Sequence, residues 1–331
     1  MKKNLFLISI ALISAIALCV FIAQYFHNQE HHINDQMIAI ITPVTHPSLE
    51  KAQQGFIETL TKKSTQKYHF TIYNANGSEI LLRSQVAAAL ASNAALIYTI
   101  GAHATKLTQQ TAQKKGATIP IVFTCVARPV DLGIIPTEQN PGPNITGIIE
   151  ANDYEQQINF LLQAKPMTRN ILLVYNPAQG AGLLKDKEQL ATILINKKIH
   201  LQCLEVFQTN EVYSKTAALI EKSDVLLILK DNTVVPALDS LIKLCTKNNV
   251  TLYASDLDSV AKGAALGFGV NEYDFGIRAA EKALLMLQHQ HNIPAEPLMN
   301  FKCMVNTKTM IYQGLKPHQY LMKLISTGTC G

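Results

Sequence analysis

Tryptophan is absent from the 331 residues, and Asp, Glu, Lys and Arg together make up only 16% of them. Long basic runs are absent too. At a formal charge of +5, with no alternation of basic and aromatic residues, nothing favours a nucleic-acid partner. None of the six cysteines (Cys19, Cys125, Cys203, Cys245, Cys303, Cys330) sits in a C-x-x-C pair, so no structural zinc spacing exists. The chain has no G-x-S-x-G nucleophile elbow and no Walker loop. Gly267-Phe-Gly269 lacks the third glycine of a dinucleotide fingerprint and does not follow a first strand. Cys125 and His103 could be paired as thiol and base, but nothing orients the base, and a buried thiol at a strand end is the plainer reading. The chain is therefore read as a binding protein rather than an enzyme, with no metal and no cofactor.

One long apolar run is present. After Lys2 and Lys3, residues 5–23 carry no charge over 19 positions. That is an export signal or a segment just long enough to span a bilayer. Ala15-Ile-Ala17 is a candidate cleavage site, and Leu18 before Cys19 argues against lipidation. Residues 27–36, with His27, His31 and His32, read as a polar tether. The body is expected outside the cytoplasmic membrane, in the periplasm or its equivalent, where Cys303–Cys330 would be the least strained disulfide.

With 48% hydrophobic residues, the body has the composition of a well-cored globular protein. Short apolar strands alternate with amphipathic helices from residue 37 onward. Strands are expected at 37–42, 68–73, 95–100 and 119–123, with helices at 47–61, 79–91 and 103–115. After the block 141–147 the pattern restarts. Strands then fall at 170–175, 199–206, 224–229 and 251–253, and helices at 153–163, 182–196, 210–221 and 233–247. Such alternation predicts an α/β fold with parallel sheets covered on both faces. Residues 262–276, Lys-Gly-Ala-Ala-Leu-Gly-Phe-Gly-Val-Asn-Glu-Tyr-Asp-Phe-Gly, read as a buried strand, a polar break and a helix to about residue 288. Pro141-Gly-Pro-Asn-Ile-Thr-Gly147 repeats that layout. Two such crossings suggest two Rossmann-like lobes joined by a hinge of crossing strands, closing on a small ligand. A strand at 301–305 is expected to close the chain.

Ligands of open parallel sheets bind beyond the carboxyl ends of the strands. That rule picks out the loops 42–46, 74–76, 101–103 and 124–128 on one side of a cleft. Tyr175 with Asn176, Lys230 to Asn232, and Ser255 with Asp256 fall on the other. Several readings stay open. His46 and His103 contact ligand or serve backbone groups at helix starts. Arg128 forks a ligand carboxylate or lies in a solvated turn. Asp231 holds a ligand amine or caps the helix near Thr233. Tyr175 and Tyr273 stack on a ring, or Tyr273 pins the hinge.

Together, Val44-Thr-His-Pro47 with Gly55-Phe56, Ile119-Pro-Ile-Val-Phe123 through Arg128-Pro-Val130, Pro141 to Gly147, Val174-Tyr-Asn-Pro177, Asp231-Asn232, Gly263 to Gly276 and Val305-Asn306 with Gly314-Leu315 resemble a known family. The chain is similar to the periplasmic substrate-binding components of ABC importers with the type I periplasmic-binding-protein fold. Within that family it resembles the branch that includes tryptophan- and tyrosine-binding proteins. The resemblance spans residues 37–316. It implies an export segment and tether at 1–36, a first lobe of 37–147 and 271–299, and a second lobe of 148–270 and 300–331. Carried over position by position, it implies a cleft lined by Thr45, His46, Gly101, Ala102, His103, Ala104, Thr124, Val126, Tyr175, Asp231, Asn232 and Asp256. It also implies an amino acid or related organic acid as ligand, and an ABC permease with its ATPase as partners. Two positions depart from the family's pattern. Arg128 stands where Asp usually precedes Pro, and Gln179-Gly-Ala-Gly182 stands where an acidic residue and Asn-Ser often occur. The alternative reading is a membrane-anchored ligand sensor of the same fold, signalling to a partner protein.

Overall fold

In the first strand the side chains alternate between two cores. Ile38 and Ile40 join Phe56, Tyr98 and Phe275 on one face. Ala39 and Ile41 join Leu82, Val86 and Phe123 on the other. A sheet apolar on both faces must be sandwiched by helices, and the chain supplies them. The computed structural model describes residues 36–45, 47–179 and 181–327. The apolar segment 5–23, the tether, Cys19, Cys330 and His46 lie outside the described residues.

In chain order the elements are β1 (Gln36–Thr42), α1 (Pro47–Lys63), β2 (Tyr68–Asn74), α2 (Glu79–Ala91), β3 (Leu96–Ile100), α3 (Ala102–Lys115), β4 (Ile121–Val126) and β5 (Ile145–Glu150). There follow α4 (Tyr154–Ala164), β6 (Asn170–Tyr175), α5 (Ala181–Asn196), β7 (His200–Glu205), α6 (Thr209–Ala217), β8 (Val225–Ile228), α7 (Leu238–Asn248), β9 (Thr251–Ala254), α8 (Asp258–Lys262) and β10 (Leu266–Gly269). The chain ends with α9 (Glu272–Leu287), β11 (Glu296–Leu298), β12 (Lys302–Val305) and α10 (Gln319–Thr327).

These strands form two six-stranded sheets, ordered β11-β5-β4-β3-β1-β2 and β12-β10-β9-β8-β6-β7. Every pairing is parallel except that of β10 with β12. This is the expected two-lobed α/β architecture. The chain passes between the sheets three times, at 151–153, 270–271 and 299–301, where the sequence suggested two crossings. Two crossings run into capped helices. The Asp153 carboxylate accepts the Gln156 N–H at 2.8 Å, and Asn271 Oδ1 accepts the Tyr273 N–H at 3.2 Å. At the third, Phe301 stacks on Phe268 with ring centroids 5.0 Å apart.

Helices α1 and α9 cross so closely that only glycine fits. A Cβ on Gly55 would lie 2.3 Å from the Tyr273 carbonyl oxygen, and one on Gly276 would lie 2.1 Å from that of Ala52. Tyr273 donates its hydroxyl to Glu58 at 2.5 Å, so it pins α9 to α1. The expected helix at 233–247 begins only at Leu238, because Pro236 shapes a 3-10 turn over Val235–Ala237 before it. Helix α10, the short helix α8 and strand β11 were not expected.

Candidate functional site

From the segments that follow β1 and β4, and from the end of β5, contacts cross to the second lobe. In the first lobe Thr45 Oγ1 accepts from Asn74 Nδ2 at 2.7 Å and donates to Asn76 Oδ1 at 3.3 Å. Gly101, at φ 89°, hands its N–H to the Thr124 carbonyl at 2.9 Å and opens α3. The first turn of that helix carries Ala102, exposed His103 and buried Ala104. His103 pairs with the Glu79 carboxylate and holds it below its usual range.

Other candidates turn away from the cleft. Thr124 is buried, and its hydroxyl lies 2.8 Å from that of Tyr98. Val126 packs in the core with Phe123 and Ile149. Tyr175 is buried too, its hydroxyl donating to Glu205 at 2.8 Å, so its ring is no open stacking platform. Asp231 is fully buried and accepts backbone N–H groups from Asn176 at 2.6 Å, Thr233 at 2.7 Å and Val234 at 3.1 Å. That geometry holds the turn before Val235 and ties it to the end of β6; the helix whose cap was expected near Thr233 starts only at Leu238. Asn232 beside it is exposed. Asp256 likewise accepts from the Ser259 N–H at 2.7 Å and hydroxyl at 2.8 Å, opening α8.

Several polar contacts among the described residues cross between the lobes. Ser48 and Lys51, on α1, meet Asp258 on α8. Arg128 reaches α5, donating to the Gly182 carbonyl at 2.8 Å and to Asp186 Oδ1 at 2.7 Å. Neither of its two expected readings, ligand fork or solvated turn, describes that contact. Lys230, just beyond β8, lies 2.7 Å from Glu150 and 2.6 Å from Glu272, the residues that end β5 and begin α9. The two carboxylates keep the Lys230 ammonium charged well beyond its usual range. Burial pushes Glu272 up, and the neighbouring Glu150 charge adds to this against the pull of Lys230. Sequence reasoning placed Lys230 in a cleft loop without singling it out. Glu150 and Glu272, lone charges at the ends of apolar segments, were the available signal.

Cys125 Sγ donates to Glu272 at 3.9 Å, and burial with the Glu272 and Glu150 charges raises its thiol well above normal. A thiol held neutral, with His103 occupied elsewhere, is no nucleophile. Cys303 is disulfide-bonded. No helix among the described residues is long and apolar enough to cross a membrane.

The model of the ABC transporter substrate binding protein family matches residues 37–326. The chain belongs to that family. Its members are extracytoplasmic, bind a small molecule for an ABC transporter and are not enzymes. Over 281 residues the chain is 26% identical to a tyrosine-binding protein of Clostridioides difficile (strain R20291), covering 82% of this chain and 79% of that protein. It is similar in fold, at a TM-score of 0.76 and 17% identity, to an ABC domain in complex with L-Trp from Streptococcus pneumonia. That match covers 87% of this chain and 98% of the other. A conserved domain protein from Vibrio cholerae matches at a TM-score of 0.75 and 24% identity, covering 87% and 97%. These likenesses agree with the type I periplasmic-binding-protein fold expected from the residues.

Proposed function

We propose that this chain is the solute-receiving component of an ABC importer. It closes its lobes on an amino acid, of which the aromatic kind is the first to test, and presents it to a permease driven by an ATPase. The observation that carries this reading is two mostly parallel six-stranded sheets joined by three crossings, with residues at or beyond the strand ends in contact through Lys230–Glu150 and Arg128–Asp186. The likeness to a tyrosine-binding protein supports the ligand class. In this reading residues 37–147 and 271–299 move as one lobe and 148–270 and 300–331 as the other. Residues 1–36 export the chain to the periplasm, and 5–23 anchor it to the inner membrane if they are retained.

Thr45, His103 and Asn232 are the ligand-facing side chains, because each is exposed at a strand end. The free N–H groups at the start of α3 receive the ligand carboxylate. Asp231 and Asp256 hold the loops that carry such contacts. His46, outside the described residues, is a further candidate ligand contact.

The test is a thermal-unfolding screen of the purified protein against the twenty amino acids and a set of small organic acids. A ligand present at about 100 times its Kd adds about 2.7 kcal/mol. A raised midpoint with L-tyrosine or L-tryptophan supports the aromatic reading. A shift only with organic acids moves the ligand class, and no shift with any solute removes the importer reading.

A further inference from the structure

Arg128 and Gly182, both in stretches singled out in the sequence, meet across the lobes. Arg128 stands on a built loop of the first lobe. Its φ is 55°, its carbonyl accepts the Leu132 N–H at 3.1 Å, and Pro129 accepts that of Ile134 at 2.9 Å. Ile134 and Ile135 anchor this loop in the first lobe's core. The acceptor belongs to the second lobe. Asp186 on α5 is buried and also hydrogen-bonded by the hydroxyl of Tyr154, at the start of α4. The carboxylate is thus held in place by its own lobe, and the Arg128 guanidinium is the part that arrives. Beside this contact Lys185 of α5 pairs with Asp131 of the Arg128 loop at 2.7 Å. Each surface therefore offers one cation and one anion, matched crosswise, which fixes how the lobes register.

Location separates this contact from those of Lys230 and Lys51. Lys230 binds Glu150 and Glu272 at the crossings themselves, where lobe rotation moves atoms least. Lys51–Asp258 is the more exposed pair, with side-chain exposures of 45% and 23% against 24% and 13% for Arg128–Asp186. A solvent-open groove of about 720 Å³ lies alongside, lined by Arg128, Asp131, Asn152, Tyr154 and Lys185. Water from it can take over the Arg128 donors when the contact opens.

We propose that Arg128, bonded to Gly182 and Asp186, is a ligand-independent closure latch that sets how much of the protein stands closed. It rests on the two-lobed binding reading but not on which solute binds. Because the binding-competent fraction scales apparent affinity, such a latch tunes retention of any ligand without touching it.

The experiment measures interlobe distance by double electron–electron resonance, with nitroxides at Ile80→Cys and Tyr213→Cys, both exposed, in a Cys203→Ser background. No solute is added. Arg128→Ala and Asp186→Ala are each expected to raise the open-to-closed ratio at least fivefold. The double variant should add little further, and Lys185→Ala should raise the ratio by less, because its pair with Asp131 is more exposed. Asp186→Asn carries the same test should Arg128→Ala not fold. Distance distributions of both lobe variants matching the parent would overturn the latch. Failure of the importer reading would appear instead in the solute screen, with these distances unaffected.

Discussion

The Lys230 ammonium, from the second lobe, lies 2.6 Å from the Glu272 carboxylate of the first. Its other partner, Glu150, ends the strand from which the chain first crosses. One cation therefore fastens two hinge crossings, with two carboxylates around one ammonium. The carboxylates keep Lys230 charged, while burial, reinforced by the Glu150 charge, makes Glu272 resist ionisation against the pull of Lys230.

Replacing Lys230 with Met should be costly. It leaves Glu150 and Glu272 facing each other with no cation, and breaking a buried pair from one side costs about 3–5 kcal/mol. Lys230 keeps 30% side-chain exposure, so about 3 kcal/mol is expected. Urea unfolding at pH 7.5 checks this. A loss under about 1 kcal/mol would mean that the group is solvated and does not fasten the hinge.

The same group predicts a pH dependence. Folded Glu272 keeps its proton to a higher pH than unfolded Glu272, whose reference is 4.5. Its contribution to stability is therefore fully present below that reference and is lost as pH rises through the folded value. Glu272→Gln removes the titration. The fall in unfolding free energy between pH 4.5 and pH 8 should be shallower in Glu272→Gln than in the parent. Parallel profiles for the two proteins would assign the dependence to other groups.

The lobes were legible because strand and helix periods differ and the apolar runs are short. Element ends were less so where local chemistry intervened. Pro236 delayed α7, and α6 stops at Ala217 where a helix to 221 was expected. β11 escaped notice because a three-residue edge strand containing Pro297 has no readable alternation. The site was harder. A residue at a strand end has two faces to choose from, and period alone does not say which is the cleft. Val126 packs with Phe123 in the core, while Thr124 turns to Tyr98. Between them Cys125 adopts φ 55°, which breaks the alternation. Contacts between distant segments, such as Arg128 with Asp186, depend on how the lobes face each other and leave no local pattern.

Asp231, a candidate ligand residue, is also tied into its own lobe. Its carboxylate accepts three backbone N–H groups from two loops. Asp231→Ala should lower stability by about 3 kcal/mol, because hydrogen bonds to a charged acceptor are worth about 1.5–3 kcal/mol each and water replaces some of them. Asp231→Asn should lose less, since its amide oxygen still accepts. Urea unfolding of both variants checks the order. Full stability of Asp231→Ala with weakened solute binding would restore the ligand role.

The crossing of α1 and α9 predicts an effect far from any polar group. A Cβ on Gly276 would sit 2.1 Å from the Ala52 carbonyl oxygen and 2.5 Å from the Phe56 backbone nitrogen. Neither neighbour is a flexible side chain, so the helices must separate. Their parting would loosen Phe56, which stacks on Tyr98 at 4.0 Å in the middle of the first lobe's core. Alanine normally favours a helix over glycine by about 1 kcal/mol. Here the overpacking cost, about 1–3 kcal/mol for ordinary core insertions, should reach the top of its range and outweigh that gain. Gly276→Ala is therefore expected to destabilise the protein by about 2 kcal/mol net, measured by urea unfolding. A more stable Gly276→Ala variant would mean that helix propensity governs this position and that the two helices can move apart without loss.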